Sequence, residues 1–294
     1  MYSGWRGTPP ELEIVTLSSR EEFQQHATKM AEAAREQRSV EQSMARSALD
    51  FRVPGYCFPC GVWRRLKVTS RYAAPAAGGF QINWREHLIC PICFLSNRMR
   101  AAVHILDRVM QLDRSAQIYM TEQVTPLFRW VQRQFPGAVG SEYLGPTMPL
   151  GGTSATGIRN EDLTRLTFAT GQFDAVLCFE VFEHVPELEP AFAECARVLK
   201  PGGHMLFSAP FDPAAPANLI RARLRSDGQI EHLLPPEYHG DPLHEGGVLA
   251  FRHFGWEMLA QVRAAGFTHV SALLYHSANY GYLGADQIQF LAVK

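Results

Sequence analysis

No stretch of the 294-residue chain approaches the roughly 18 consecutive apolar residues that a membrane-spanning helix requires. The first residues, Met1 to Glu13, lack the basic-then-apolar pattern of a secretory leader, so a cytoplasmic location is expected. Charge of one sign is missing too. Lysine and arginine number 28 against 29 acidic residues, for a net charge of -1, and no basic field argues for nucleic acid as a partner. Cysteine is sparse: there are six, and four of them fall into two closely spaced pairs. In a reducing compartment that pattern favours metal over disulfides. What remains is an ordinary globular composition, 46% apolar, long enough for one large domain or two.

The pairs are Cys57-Phe58-Pro59-Cys60 and Cys90-Pro91-Ile92-Cys93. Each bends the backbone so that two thiolates point at one ion, and two such knuckles complete a tetrahedral Zn2+ site. Four thiolates leave no open position for chemistry, so the zinc is read as structural. Buried free cysteines or a redox pair are the metal-free alternatives. Alternating stretches at 62–68 and 80–84 suggest a β-hairpin arm, making 51–100 a zinc-ribbon-like region. Residues 1–50 form a separate helical arm, with helix over 19–49. Its thin apolar stripe of Phe23, Ala27, Met30 and Ala34 suits packing or homodimerisation. Arg35, Arg38 and Arg46 read as a solvated face.

From residue 101 the pattern alternates. A helix over 101–112 turns Val103, Leu106, Val109 and Met110 inward, and Arg98 and Arg100 before it read as exposed or as partners of local acids, with reach toward an acidic ligand as the alternative. Strand 116–120, helix 124–135 and strand 138–142 follow. The clearest unit is strand 173–179, helix 188–199 and strand 204–209. Leu188, Phe192, Cys195, Ala196 and Leu199 make one buried helical face, and Lys200-Pro201-Gly202-Gly203 stops it. That is a βαβ unit of a parallel sheet. Helix 256–265 and strands 268–275 and 287–293 close the chain.

Open sheets of this kind bind ligands at the carboxyl ends of their strands. Glu142 stands there, about 20 residues after the first turn, where a carboxylate accepts ribose hydroxyls, with Tyr143 beside it. Phe179, Glu180, Glu183 and His184 stand at the end of the next strand. The first turn, Thr121-Glu122-Gln123-Val124-Thr125, contains no glycine. Glu122 there either binds a ligand ammonium or caps the helix dipole. Residues 212–251 are long for a strand-to-helix connection and read as a lid, with a short helix at 217–224. Tyr238, Arg252 and His253 are candidates for contact with a hydroxylated substrate. His184, His239 and His244 are candidates for the base that takes a hydroxyl proton. A second metal on His239, Asp241, His244 and Glu245 is an alternative to plain hydrogen-bonding loop residues.

Several short segments, in order, resemble the class I S-adenosylmethionine (SAM) dependent methyltransferases. They are Asp162-Leu163, Leu166-Thr167-Phe168, Gln172-Phe173-Asp174-Ala175-Val176, Glu183-His184-Val185, and Arg197-Val198-Leu199-Lys200-Pro201-Gly202-Gly203. The resemblance implies an α/β, Rossmann-like domain over 101–294. Its seven-stranded sheet would be mainly parallel with an antiparallel edge strand. It also implies that Asp162 faces the adenine amino group with Leu163 packing beside the ring, and that Glu142 holds the ribose. The departure is the glycine-free turn, since the family places a glycine-rich loop there. The four-cysteine arm resembles that of methyltransferases of bacterial glycan assembly, which implies a small-molecule or carbohydrate-like acceptor, methylated at oxygen. Two other readings stand beside it: a ribosomal RNA methyltransferase, and a catalytically silent scaffold of the same fold.

Overall fold

The structure, a computed structural model, describes residues 11–45, 50–69, 71, 73–76, 79–243 and 245–294. The chain divides into two interleaved units. One comprises residues 1–17, 21–112 and 273–288, the other 18–20, 113–272 and 289–294.

The seven-stranded sheet is built from β1 (Ile14–Leu17), β2 (Ile118–Met120), β3 (Val139–Gly140), β4 (Phe173–Phe179), β5 (Leu199–Ser208), β6 (His269–Ser277) and β7 (Tyr282–Val293). Their order is β1-β6-β7-β5-β4-β2-β3. The β2–β3, β2–β4 and β4–β5 pairs are parallel, and β5–β7 is antiparallel. This is the expected mainly parallel, Rossmann-like sheet with an antiparallel strand. The reason is legible in β4, whose residues are buried almost end to end, as befits a strand covered on both faces. Helix Leu188–Val198 packs Leu188, Ala191, Phe192, Cys195, Ala196 and Val198 inward, and Phe192 meets Phe182 at 4.6 Å.

The stop signal after this helix works differently from a plain turn. Leu199 is already extended, and β5 runs on through Pro201 and Gly203. Gly202, at φ +75°, carries the bend. Its N–H bonds the Lys294 carbonyl, while Lys200 pairs with Asp174 at 2.7 Å.

Residues 217–224 are not the expected helix. Leu219–Ile220 pairs with Arg252–His253, and Ala222–Leu224 pairs with Ile230–His232 across a turn that contains Gly228. An eight-residue segment cannot sustain a helix by itself, and these ladders satisfy its backbone instead. The lid is therefore a set of short antiparallel ribbons.

The other unit holds helices Arg20–Lys29 and Ala31–Ala45 in place of one helix over 19–49. The two meet at Met30, where 26-to-30 and 30-to-34 backbone bonds persist. Arg46 lies outside the described residues. Hairpin Phe51–Cys57/Val62–Val68 is antiparallel in full register, and a shorter one joins Ala74–Ala76 to Gly79–Gln81. Helix Asn97–Ile105 continues as one π-helical turn, Leu106–Met110, which leaves Val109 39% exposed rather than inward. Residues 273–288 complete this unit. Asn97 donates to the Leu283 carbonyl, and the buried Arg100 donates to the Tyr280 and Gly281 carbonyls. Arg98 pairs with Glu86 through two bonds. Arg98 thus has the local acid expected of it, whereas Arg100 is committed to backbone carbonyls far along the chain.

Candidate functional site

The carboxyl ends of the parallel strands supply the first group of residues. Glu142 follows β3, and its Oε1 accepts the backbone N–H groups of Gln123 (2.6 Å) and Val124 (3.0 Å). The carboxylate thereby holds the glycine-free turn in place. Burial pushes its pKa up, the two N–H donors pull it down, and the charge of Asp241 pushes it up again. The turn is fixed from its other side by Gln123, which donates to the Gly157 carbonyl and accepts from the Arg159 N–H. Thr125 caps helix Pro126–Gln134 through the Phe128 N–H. The glycine that close approach demands is present, but on the neighbouring strand. A Cβ on Gly140 would lie 2.8 Å from the Glu122 carbonyl oxygen and 2.6 Å from the Phe128 ring.

Glu142 also pairs in parallel with Asn160, a one-bridge remnant of a further strand. This sets the chain up to deliver Asp162. The Asp162 Oδ1 caps the next turn, accepting from the Thr164 N–H and hydroxyl at 2.9 and 2.7 Å, and Arg165 lies 3.3 Å from Oδ2. Leu163 is buried, whereas Tyr143 is 56% exposed.

β4 delivers the second group. Phe179 is buried, and Glu180 adopts a left-handed backbone (φ +55°), unusual for a residue with a side chain. Its N–H bonds the Ser208 carbonyl, and its carboxylate accepts from the Ser208 hydroxyl at 2.7 Å. The strained residue aims the next turn, Phe182–His184, at the lid. Here Glu183 is fully buried, and neither carboxylate oxygen has a hydrogen-bond partner among the described residues. The His184 Nε2 and the His239 Nδ1 each stand 3.6 Å from its Oε1. The His184 Nδ1 donates to the Leu249 carbonyl at 2.8 Å, and the His239 Nε2 bonds Glu237 at 3.0 Å. Glu237 binds His253 (2.9 Å) and Arg221 (3.2 Å) as well.

Burial raises Glu183 to about 7, and the charge of Glu180 adds to this. His239 is pushed up to about 9, first by Glu183 and then by Glu237, while burial holds His184 below its ordinary value. Glu237 would be raised by its own burial, but His239, His253 and Arg221 hold it low.

Of the lid residues expected to meet substrate, Tyr238 is 58% exposed. Arg252 is buried, and its guanidinium is spent on the Phe182, Val185 and Pro186 carbonyls, which fasten the Glu183 turn. It is a brace, as three convergent carbonyls dictate. His244, and with it the metal group drawn through it, lies outside the described residues; among those described, His239 groups with Glu183 and His184 and with Glu237 and His253. Glu237 is absent from the sequence-based candidates, although its place two residues before His239 is a signal the sequence carries.

In the other unit the four cysteines meet. Cys57 and Cys93 sulfurs are 3.6 Å apart, Cys60 and Cys90 sulfurs 3.8 Å, and all four lie within 4.8 Å of one another. A tetrahedral ion with bonds of about 2.3 Å places its sulfurs roughly 3.8 Å apart, so the residues fit zinc. Hydrogen bonding to Cys60 heads the causes that push the Cys57 thiol up, while bonding to Cys57 heads those that hold Cys90 down.

Residues 145–207 match the family model described as Methyltransferase domain. Over that stretch the chain is similar to methyltransferase domains. The matched stretch covers Asp162 and the Glu180–His184 segment, and begins after Glu142 and the glycine-free turn. Among curated proteins, the ubiquinone biosynthesis O-methyltransferase of Alkalilimnicola ehrlichii is 57% identical over 37 residues, 13% of this chain and 15% of that protein. The enzyme of the same name from Marinobacter nauticus is 48% identical over 48 residues, 16% of this chain and 20% of its own. The chain thus spans a fifth or less of the length of these relatives. Among solved structures, an S-adenosylmethionine dependent methyltransferase from Mesorhizobium loti is 19% identical (TM-score 0.38), with 63% of this chain and 94% of that one covered. The 1,6-didemethyltoxoflavin-N1-methyltransferase of Burkholderia thailandensis, with S-adenosylhomocysteine bound, is also 19% identical (TM-score 0.39), with 67% and 77% covered.

Proposed function

We propose that the protein transfers a methyl group from SAM to an oxygen of a small-molecule or carbohydrate-like acceptor. The observation that carries this is the convergence of Glu142, Asp162 and the Glu180–His184 turn at the carboxyl ends of parallel strands in a methyltransferase domain. SAM supplies a methyl group on a positively charged sulfur. Glu142 would hold the ribose through Oε2, because Oε1 is taken by the turn. Leu163 would cover the adenine. Asp162, committed to its own turn, would position Leu163 and share its outer oxygen with the adenine amino group. Glu122 and Thr121, in the turn that Glu142 pins, would meet the amino-acid end, and Phe179 and Glu180 would lie by the sulfur.

A neutral hydroxyl is a poor nucleophile, so its proton must leave for transfer to run at neutral pH. The Glu183, His184 and His239 group supplies that activation, and the ribbons of residues 212–251 bring Tyr238 and His253 toward the acceptor. Support for an oxygen acceptor comes from the O-methyltransferases that share the short local matches. Cys57, Cys60, Cys90 and Cys93 would hold a structural Zn2+. The site is read as lying in a cytoplasmic protein.

Calorimetric titration of the zinc-loaded protein with SAM and S-adenosylhomocysteine tests the reading. Micromolar, saturable binding is expected, weakened tenfold or more in Glu142→Ala. The absence of binding by folded protein would overturn it.

A further inference from the structure

We infer that Glu183, His184 and His239 form a binding site for a divalent transition-metal cation, distinct from the four-cysteine cluster. Glu183 is the reason to look. A fully buried carboxylate with no hydrogen bond to either oxygen among the described residues carries a desolvation cost that the His239 imidazole, 3.6 Å away, offsets only in part. The two imidazole nitrogens nearest to it do not repair this, because 3.6 Å is too long for a hydrogen bond. The same distance suits two ligands of one ion. Bonds of about 2.1 Å put neighbouring donors roughly 3.0–3.4 Å apart in octahedral or tetrahedral geometry. The three ligand atoms all lie within 4.8 Å of one another, so a small inward shift closes the shell.

The far sides of both rings point the same way. A metal-bound histidine characteristically engages a carbonyl or carboxylate through its other ring nitrogen, which fixes the tautomer and leaves a lone pair for the ion. The His184 Nδ1 is held by the Leu249 carbonyl and the His239 Nε2 by Glu237. Each ring therefore presents its remaining nitrogen to Glu183, and on His239 an incoming cation would displace the proton that the two glutamates hold there. Arg252 and the Phe251 N–H, the latter on the Glu183 carbonyl, fasten the turn and ribbon that carry these ligands. The adjacent group of Glu237, His239 and His253 is a useful contrast. There the Glu237 Oε1 already bonds both rings at 3.0 and 2.9 Å, and Arg221 pairs with the same carboxylate.

Two imidazoles and one carboxylate suit manganese, iron, cobalt or zinc, and leave coordination positions open. This deepens the methyl-transfer reading and rests on it in one respect. An acceptor hydroxyl bound at an open position would lose its proton to solvent at lower pH, leaving the oxygen ready to accept the methyl group.

The test is a Mn2+ titration of the zinc-loaded protein, with the signal of free aquated Mn2+ read by electron paramagnetic resonance. Thiolate sites do not compete well for manganese. One Mn2+ per chain is expected, bound at least tenfold more weakly in Glu183→Gln and in His239→Ala, and unchanged in the exposed His269→Ala. Melting curves establish that each variant is folded, and the half-buried His239 position serves if Glu183→Gln is not. The inference is overturned if folded wild-type protein binds no Mn2+ at millimolar concentration, or if both site variants bind it as wild type does. S-adenosylhomocysteine binding, measured on the same samples, reports separately on the methyltransferase reading.

Discussion

Replacing Gly140 with alanine is the sharpest probe of the glycine-free turn. The new methyl would stand 2.6 Å from Phe128 Cε2 and 2.8 Å from the Glu122 carbonyl oxygen, where ordinary contact begins at 3.4 Å. The ring and the turn must therefore retreat by 0.8 and 0.6 Å, the differences between those values. Overpacking of this kind costs about 1–3 kcal/mol in stability. The second effect is on function. Glu122 is next to Gln123, whose N–H, with that of Val124, is held by Glu142. Moving the turn by more than half an ångström weakens both bonds to a charged acceptor, each worth about 1.5–3 kcal/mol. Losing one such bond's worth of order would reduce S-adenosylhomocysteine affinity by about tenfold or more. Thermal melting and calorimetry would be run together, with Gly246→Ala as control, since a Cβ there meets nothing within 4 Å. A Gly140→Ala protein with wild-type melting and wild-type affinity would refute the idea that this glycine takes over the role of a glycine loop.

Other expectations follow from other parts of the molecule. His104 lies under Phe58 at 3.8 Å between ring centroids, and burial holds it at about 4, below its ordinary 6.5. Because the folded state favours the neutral ring, its contribution is intact above pH 6.5 and is lost as pH falls toward 4. That amounts to about 3 kcal/mol at 1.36 kcal/mol per unit. Urea unfolding at pH 7 and pH 4 should show this difference in wild type and lose most of it in His104→Phe. Arg252→Met leaves three carbonyls without their donor and should destabilise by about 2–4 kcal/mol in denaturant unfolding. A metal-binding dye should detect one zinc per chain released from the cysteines. Structural zinc is worth about 10–16 kcal/mol in small domains, so chelation should open residues 51–100 to limited proteolysis. An unchanged digestion pattern after zinc loss would count against a structural ion.

The sheet was legible where burial writes it plainly. Strand Phe173–Phe179 and helix Leu188–Val198 stand almost where their apolar runs placed them, since both are buried and long enough for periodicity to decide. The lid was not legible. Segment 217–224 has helical composition, yet its conformation is set by partners at 230–232 and 252–253, which local pattern cannot see. Arg252 had the look of a ligand-binding arginine, and only the fold reveals the carbonyls it binds. Position marks Glu142 as a candidate and resemblance marks Asp162. Their hydrogen bonds to their own turns were not legible, because those depend on loop geometry. Glu183 was noticed as half of a pair whose histidine drew the attention. Its isolation from hydrogen-bond donors is a property of the packed interior alone.

The interleaving of the two units bears on how the protein is made. Residues 21–112 share a unit with residues 273–288, and that late segment supplies the carbonyls for Asn97 and Arg100 and the His276 partner of Glu41. On a ribosome adding about 5–20 residues per second, the cysteine-bearing segment emerges roughly 10–30 s before the strand that completes its interior. During that interval a metal ion held by the four thiolates would be the main restraint on the nascent segment, so zinc supply during synthesis would govern yield. For the same reason no single cut through the chain separates the two units. An isolated 1–112 fragment would present Asn97 and Arg100 without their acceptors, and excision of residues 113–294 would carry 273–288 away from the segment it belongs with.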